Sequence, residues 1–291
     1  MTDRLDTKKL CVIGAGNIGG TILRQMLSSN AFAEVRGTRR NMDALAGIAS
    51  QGAIIGTDNC TAILQSDIVL LCVKPQDAPA VLLEIGDACT GKLVISTMAG
   101  ISIGLLQKAL PGARIMRTMP NMGAEVCSSS TALCASVGIS QEDRQVAECI
   151  FREIGSFTWV SEDKMAVSTA IMGTGPALVF LVMAAFAETL ERHGFTPQEA
   201  MQITYEVVSG AAEVWHKHGS DFHESRKLAD FLVSKITSKN GTTHAMREKL
   251  EGRDFAEILS EALEAACFRA MELGKEAEIK MMLELGKEVQ K

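Results

Sequence analysis

The sequence predicts a doubly wound α/β domain over residues 1–160, followed by an all-helical domain over residues 161–291. Three observations carry this prediction. Short apolar runs alternate with helical patterns in the first half, a glycine-spaced turn joins the first run to the first helix, and almost only helical patterns follow Val160. Strand–helix alternation of this kind is typical of a mostly parallel sheet with helices on its faces.

The apolar runs of the first half are the predicted strands. The runs 66–75 and 91–100 are continuous and end at a proline or a glycine, which is typical of strands buried on both faces. Helical spacing follows Gly16 and returns from Ser102 to Leu110. The predicted strands are Leu10–Ile13, Ala33–Thr38, Ser66–Pro75, Gly91–Gly100, Ala113–Asn121 and Thr131–Ser136.

The second half contains helix signals and one long apolar segment. Thr196 is a predicted N-cap, with Pro197 at the first helical position and Glu199 placed for a capping box. Asp254–Gly274 predicts another long helix. Ala166–Ala187 carries no charge and is long enough to suggest a membrane span. The sequence "MGTGP" interrupts this segment, so we expect a helix covered by protein, with a second subunit supplying the cover and no membrane partner.

Composition narrows the class of protein further. The chain has 291 residues, of which 47% are hydrophobic and 22% charged, as in soluble globular proteins. Its formal net charge of −6 argues against nucleic acid as a partner, because phosphates require a basic surface. The eight cysteines are scattered without a C-x-x-C pair, and the start lacks an apolar stretch. We therefore expect reduced thiols, no secretory signal and a cytoplasmic location.

The turn after the first predicted strand has the spacing of a dinucleotide-binding site. Gly14, Gly16 and Gly19 lie between that strand and the first helix, which is the context that the G-x-G-x-x-G pattern requires. Gly14 would allow the tight turn, Gly16 a close approach of a pyrophosphate, and Gly19 close packing of helix on strand. The alternative is a strand–turn–helix packing motif without a ligand.

The end of the second predicted strand indicates which dinucleotide binds. An acidic residue that receives the ribose hydroxyls is common at this place, but the sequence here reads "RGTRRN". Thr38 can donate a hydrogen bond, and Arg39 and Arg40 can bind a phosphate through charge-assisted bonds. The pattern favours NADP over NAD, with a solvated basic turn as the alternative.

The ordered motifs "GAGNIG", "SDIVLLCVKP", "STMAGISI", "RTMPN", "GTGPA" and "NGTT" resemble pyrroline-5-carboxylate reductase, the last enzyme of proline biosynthesis. The resemblance runs nearly from end to end. It implies an N-terminal Rossmann domain, a helical C-terminal domain that interlocks with a partner subunit in a homodimer or higher homo-oligomer, and NADPH-dependent reduction of a cyclic imino acid. The implied enzyme is an oxidoreductase that acts on CH–NH bonds and needs no metal.

The resemblance also implies roles for individual residues. Thr243 is the implied catalytic residue, since its hydroxyl can hydrogen-bond the imine nitrogen or relay its proton. The implied substrate residues are Glu162, Ser238, Gly241, Thr242 and Thr243. Together with the glycines and the basic turn, the predicted cofactor residues are Ile13, Gly14, Gly16, Asn17, Ile18, Gly19, Thr38, Arg39, Arg40, Asn59, Cys72, Val73, Lys74, Pro75, Thr97, Ala99 and Gly100.

The second half of the chain departs from the family pattern in two segments. "MGTGPAL" replaces the usual Ser-Gly-Ser-Gly-Pro-Ala-Tyr, and "SKNGTT" replaces Ser-Pro-Gly-Gly-Thr-Thr. Lys239 and Asn240 stand where the family has Pro-Gly, although Asn tolerates a positive φ better than most residues. Two alternatives therefore stay open: a reductase of another cyclic imine on the same scaffold, and a dinucleotide-binding regulator without catalysis.

Overall fold

Within residues 5–288, which this computed structural model describes, eight strands form one sheet in the order β3-β2-β1-β4-β5-β6-β7-β8. All neighbouring pairs are parallel except β6 and β7. The doubly wound, mostly parallel sheet is therefore confirmed. The strands are β1 (Leu5–Ile13), β2 (Phe32–Thr38), β3 (Ile54–Gly56), β4 (Ile68–Leu71), β5 (Leu93–Ser96), β6 (Arg114–Met119), β7 (Ser129–Ala135) and β8 (Gly155–Trp159).

Helices connect most of these strands and make up most of the remainder of the described chain. The helix predicted to end at Gly274 is longer, because its backbone continues to Glu288. The helices are α1 (Asn17–Ser29), α2 (Ala46–Ala49), α3 (Asn59–Leu64), α4 (Ala78–Ile85), α5 (Ile103–Ala109), α6 (Gln141–Arg152), α7 (Met165–Ser168), α8 (Gly175–Arg192), α9 (Pro197–His218), α10 (Ser225–Ile236), α11 (Thr242–Glu251) and α12 (Phe255–Glu288).

The sheet has an apolar core on each face. Successive residues of a strand point to opposite faces, so Cys11 and Ile13 belong to one core, while Leu10 and Val12 belong to the other. Both cores contain fully buried residues of β1, β4 and β5. Burial on both faces explains why these strands are continuous apolar runs in the sequence.

The register of the parallel strands brings four strand ends to one level. Ile13 pairs with Thr38 on one side and with Leu71 on the other, and Leu71 pairs with Ser96. These are the last residues of β1, β2, β4 and β5. The strand order reverses between β1 and β4, and ligands of open α/β sheets bind at the carboxyl ends beside such a reversal.

Contacts along the chain divide it into two units. The first contains residues up to Thr174 together with those from Glu264 onward, and the second is Gly175–Leu263. This division follows packing and differs from a boundary at residue 160, which marks the change from strand–helix alternation to helices. The boundary at 160 stays a prediction about domain organisation.

The second unit consists of helices that leave much apolar surface uncovered. The Thr196–Glu199 capping box at the start of α9 is confirmed. No residue of α8 is buried within one chain, and Leu181 is 70% exposed. The "MGTGP" segment does not break the helical path, since a π-helix over Thr169–Thr174 leads directly into α8. The stretch Glu162–Arg192 is long and apolar enough to cross a membrane, judged by length and composition alone.

The uncovered apolar surface predicts self-association. We expect Leu181→Glu, which places a charge on the apolar surface of α8, to raise the dissociation constant of the homo-oligomer at least about tenfold, because the buried charge would lack a partner. Sedimentation velocity over a range of protein concentrations measures this. Glu191→Gln, near the polar end of the same helix, is the control and should leave association unchanged. A wild-type protein that sediments as a folded monomer at micromolar concentration contradicts the prediction.

Candidate functional site

The turn after β1 is held against the end of β2. The amides of Gly14 and Ala15 both donate to the carbonyl oxygen of Thr38, at 3.1 and 2.9 Å. Gly14 has a φ of +85°, and a Cβ at this position would lie 2.7 Å from Cγ1 of Val73. Only glycine combines this backbone conformation with so close a neighbour.

Gly16 and Gly19 have opposite surroundings. A Cβ at Gly19 would lie 2.6 Å from the carbonyl oxygen of Gly14 and 2.9 Å from Cβ of Cys72, so α1 rests directly on the strand ends. A Cβ at Gly16 would meet its first neighbour only at 3.9 Å, so open space lies beside this backbone. The two positions therefore fit the roles expected of them, close helix packing at Gly19 and room for a pyrophosphate at Gly16.

The amino terminus of α1 is free to bind an anion. Gly16 is its N-cap and no side chain caps it. Four other helices start with a capping side chain that accepts an amide of the first turn; these N-caps are Asp58, Ser102, Ser140 and Thr196. Because the first amides of a helix have no partner inside it, an uncapped glycine start presents N–H donors and the positive end of the dipole.

The end of β2 and the basic turn after it, Thr38 to Arg40, have side chains with different contacts. Thr38 is buried, and its hydroxyl donates to Oδ1 of Asn59 at 2.6 Å. Arg40 pairs with Asp77 at 3.1 Å. Arg39 instead lines a pocket beside the start of α1. That Thr38, Arg40 and Asn59 bind a cofactor stays a prediction. The hydrogen bond between Thr38 and Asn59 places these two residues side by side, as a shared contact with the cofactor ribose requires.

The pocket beside α1 has a volume of about 190 Å³ and a mainly polar lining. Gly16 and Asn17 contribute its backbone side, and Arg39 and Arg24 contribute two guanidinium groups. No sequence pattern singled out Arg24, which lies eight residues after Gly16 on α1. The signal that could have found it is a long basic side chain on the first two turns of the helix that follows the glycines.

The turns after β4 and β5 lie side by side at the same level as the glycine turn. The amide of Cys72 donates to the carbonyl oxygen of Ile13 at 2.8 Å, and the amide of Thr97 donates to that of Leu71 at 2.9 Å. Gly100 has a φ of +76°, and a Cβ there would lie 2.9 Å from the amide nitrogen of Gly274 in α12. The carboxyl-terminal part of α12 thus packs on the turn that contains the predicted residues Thr97, Ala99 and Gly100.

Glu162 is held by three donors within the first unit. Its Oε1 accepts from Nη1 of the buried Arg117 at 2.6 Å and from the amide of Ile103 at 3.1 Å. Its Oε2 accepts from Sγ of Cys134 at 3.3 Å. The carboxylate therefore joins β6, β7 and the start of α5, while the side chain stays 40% exposed. Its predicted contact with a substrate stays a prediction.

The loop Ser238–Thr243 belongs to the second unit and leads from α10 into α11. Asn240 has a φ of +58°, which confirms that asparagine adopts the left-handed turn in place of the family's glycine. The amide of Gly241 donates to the carbonyl oxygen of Ser238 at 3.1 Å, and Gly241 is the N-cap of α11 without a side-chain cap. The amides that start α11 are therefore available to an anion, as are those of α1.

Thr243 lies on the first turn of α11 and lines a groove of about 500 Å³ between α10, α11 and the start of α12. Apolar side chains form most of this lining, among them Val233, Met246 and Leu250. Thr243 is half-buried, and Thr242 and Ser238 are exposed. The loop thus offers hydroxyl groups and backbone amides next to apolar surface.

Two family models match the chain. One, described as "Pyrroline-5-carboxylate reductase dimerisation", matches residues 162–273. The other, described as "NADP oxidoreductase coenzyme F420-dependent", matches residues 9–100. The pyrroline-5-carboxylate reductase of Synechocystis sp. is 32% identical over 274 residues, which cover 92% of this chain and 98% of that relative.

Solved structures agree with these matches. A pyrroline-5-carboxylate reductase from Coxiella burnetii is 32% identical, with a TM-score of 0.78 over 92% of this chain and 98% of its own. The fold is also that of the Plasmodium falciparum pyrroline carboxylate reductase with NADP bound. Its TM-score is 0.83 at 23% identity, over 93% of this chain and 99% of its own.

The contrast between Gly16 and Gly19 gives a paired prediction. Gly16→Val should leave the free energy of unfolding nearly unchanged but abolish NADP binding, since the new side chain fills the open space. Gly19→Val should lower the free energy of unfolding by about 1–3 kcal/mol, because overpacking moves α1 off the strand ends. Urea denaturation and calorimetric titration with NADP measure the two effects. Tight NADP binding by a folded Gly16→Val protein contradicts this interpretation of the turn.

The cysteines give a prediction about thiol reactivity. Burial raises the pKa of Cys11, Cys72, Cys89 and Cys134 to about 12. Because the thiolate is the reactive form, these four thiols should stay unmodified by an aromatic disulfide reagent at pH 8 and react only after unfolding. Cys127 is exposed and should react in the native protein. Cys127→Ser is the control that removes its contribution, and mass spectrometry of Cys72 modified in the native state contradicts the prediction.

Proposed function

The chain belongs to the pyrroline-5-carboxylate reductase family, and from that premise we propose that it reduces the C=N bond of 1-pyrroline-5-carboxylate to give L-proline, with NADPH as the electron donor. The observation that carries the proposal is a pair of helices, α1 and α11, that both begin at a glycine without a capping side chain. One lies at the strand ends where dinucleotides bind, and the other follows the loop with two threonines.

Two other uncapped helix starts differ from this pair. Helices α4 and α10 begin after Asp77 and Glu224, whose carboxylates would repel an anion. The glycine starts of α1 and α11 add no negative charge. This difference supports two anion sites, one for the phosphates of a dinucleotide and one for the carboxylate of a small substrate.

The residues of the chain have separate tasks in this reaction. The amides that start α11 bind the substrate carboxylate, and Thr243 donates a hydrogen bond to the imine nitrogen or relays its proton. When NADPH is bound, its dihydronicotinamide supplies the hydride that reduces the imine carbon. The proton on nitrogen and the hydride on carbon together account for the two hydrogens gained by the C=N bond. Glu162, Ser238, Gly241 and Thr242 hold the substrate in this proposal.

The preference for NADPH over NADH follows from the turn after β2. A carboxylate at the end of β2 would accept the ribose hydroxyls and repel a 2′-phosphate, but this strand ends at Thr38. Arg39 and Arg40 follow it, and Arg39 lines the pocket beside α1. The enzyme acts as a homodimer or higher homo-oligomer in the cytoplasm, with the apolar surface of α8 covered by a second copy.

The experiment that tests the function follows NADPH oxidation by the wild-type protein with a panel of cyclic imines. The panel contains 1-pyrroline-5-carboxylate, its six-membered homologue, and 1-pyrroline without a carboxylate. We expect the highest kcat/KM for 1-pyrroline-5-carboxylate and a large loss without the carboxylate. Faster turnover of another imine would identify a different reductase on the same scaffold. Tight NADPH binding without turnover of any imine would favour a regulator.

Thr243→Val tests the role of the hydroxyl, because valine keeps the shape of the side chain. We expect kcat/KM to fall by an amount equivalent to about 2–4 kcal/mol, as for other donors that act in the transition state, with NADPH binding unchanged. Thr237→Val is the matched control, since Thr237 directly follows α10 and its hydroxyl donates to the carbonyl oxygen of Val233 in that helix at 2.7 Å. Undiminished activity of Thr243→Val would remove this residue from the mechanism.

A further inference from the structure

We propose that Arg24 determines cofactor specificity by binding the 2′-phosphate of NADP together with Arg39. The inference rests on the proposed function only in taking a dinucleotide as the cofactor. Arg24 lies on α1, outside the glycine turn and outside the basic turn after β2. The two guanidinium groups reach one pocket from different elements, α1 and the end of β2.

The side chain of Arg24 folds back toward the start of α1. Its Nη2 donates to Oγ1 of Thr21 at 3.1 Å. A Cβ built on Gly20 would lie 3.8 Å from Nη1 of Arg24, so the guanidinium lies over this glycine. Thr21 therefore orients the Arg24 side chain by accepting a hydrogen bond, and Gly20 leaves the space that the guanidinium occupies. An orientation fixed in advance lowers the entropy lost on binding a phosphate.

The charges of the pocket favour an anion. Among the residues that the structure describes, neither Arg24 nor Arg39 has an acidic partner within salt-bridge distance. Nη1 of Arg39 makes one long bond, 3.4 Å, to the carbonyl oxygen of Ala15. Glu125 is the acidic side chain of the lining, so two positive charges face one negative charge. Arginine pairs of this kind bind phosphate through several charge-assisted bonds.

The position of the pocket distinguishes the 2′-phosphate from the pyrophosphate. Gly16 and Asn17 border the pocket on one side, and Ala44 and Ile48 from the segment after β2 border it on the other. The first amides of α1 would hold the pyrophosphate of a bound dinucleotide, and the segment that follows β2 would lie on the side of its 2′-phosphate. The Arg24 side chain reaches from α1 into the same pocket as this segment after β2.

The test compares four ligands with three proteins by isothermal titration calorimetry. The ligands are NADP, NAD, adenosine 2′,5′-bisphosphate and 5′-AMP, and the proteins are the wild type, Arg24→Met and Arg152→Met. Arg152, on α6, pairs at 3.9 Å with Glu148 of the same helix and does not line the pocket, so its loss of charge is the matched control. The thermal unfolding midpoint of each variant is measured in parallel.

In Arg24→Met we expect affinity for NADP and for adenosine 2′,5′-bisphosphate to fall about 10- to 100-fold, with NAD and 5′-AMP within twofold of the wild type. Arg24→Lys should give an intermediate loss, because lysine keeps the charge but not the planar fork. Arg152→Met should bind all four ligands as the wild type does.

Two results overturn the inference. Unchanged NADP affinity in Arg24→Met removes the residue from the site, and an equal loss for NADP and NAD assigns Arg24 to the pyrophosphate instead. If Arg24→Met is unstable, the affinities of Arg24→Lys and of the wild type for NADP and NAD are compared instead, and the same two results overturn the inference. The outcome is independent of the reaction, since a protein that binds NADP through Arg24 but reduces no cyclic imine would contradict the proposed function alone.

Discussion

The contact between α1 and the strand ends at Gly19 is the constraint on which the first unit depends. There is no room for a side chain at this position, because the carbonyl oxygen of Gly14 and the Cβ of Cys72 are both within 3 Å of where a Cβ would be. The helix can therefore start at the level where β1 and β4 end. Its amides and its dipole then point to the place where parallel sheets bind ligands, and the surface presented there is backbone.

The parallel register extends this constraint to the neighbouring strands. Ile13, Thr38, Leu71 and Ser96 lie on one level, so the residue after each of them opens onto the same edge of the sheet. The four turns that follow contain most of the predicted cofactor residues. That these turns lie together is thus a consequence of strand length and pairing.

The fold could be predicted from the sequence because its signals are local. Continuous apolar runs identified the buried strands, the glycine spacing identified the turn after β1, and the threonine–glutamate pair identified the start of α9. The side-chain contacts in and around the candidate site could not be predicted, because they join residues that are distant in the sequence. Arg40 pairs with Asp77, and Glu162 accepts hydrogen bonds from Arg117 and Cys134. No periodicity links these positions, so no sequence pattern indicates that they have structural partners.

Arg24 illustrates the same limit at the scale of one helix. Its spacing from Gly16 places it on α1, but its direction depends on Thr21 as an acceptor and on the space over Gly20. These neighbours act only once the helix has formed and the segment after β2 has packed beside it. Side-chain direction is therefore the part of the site that sequence patterns convey least, whereas strand ends and helix starts follow from the pattern directly.

The loop Ser238–Thr243 shows how side chains can change while a left-handed turn and a helix start are kept. Lys239 and Asn240 replace the Pro-Gly of the family pattern, yet Asn240 adopts a φ of +58° and Gly241 still begins α11. An anion bound by backbone amides depends on the path of the chain more than on these two side chains. A backbone path kept beside altered side chains means that any change in what this loop binds comes from the side chains. Lys239 is exposed and places a positive charge at this position, where the family pattern has a neutral proline.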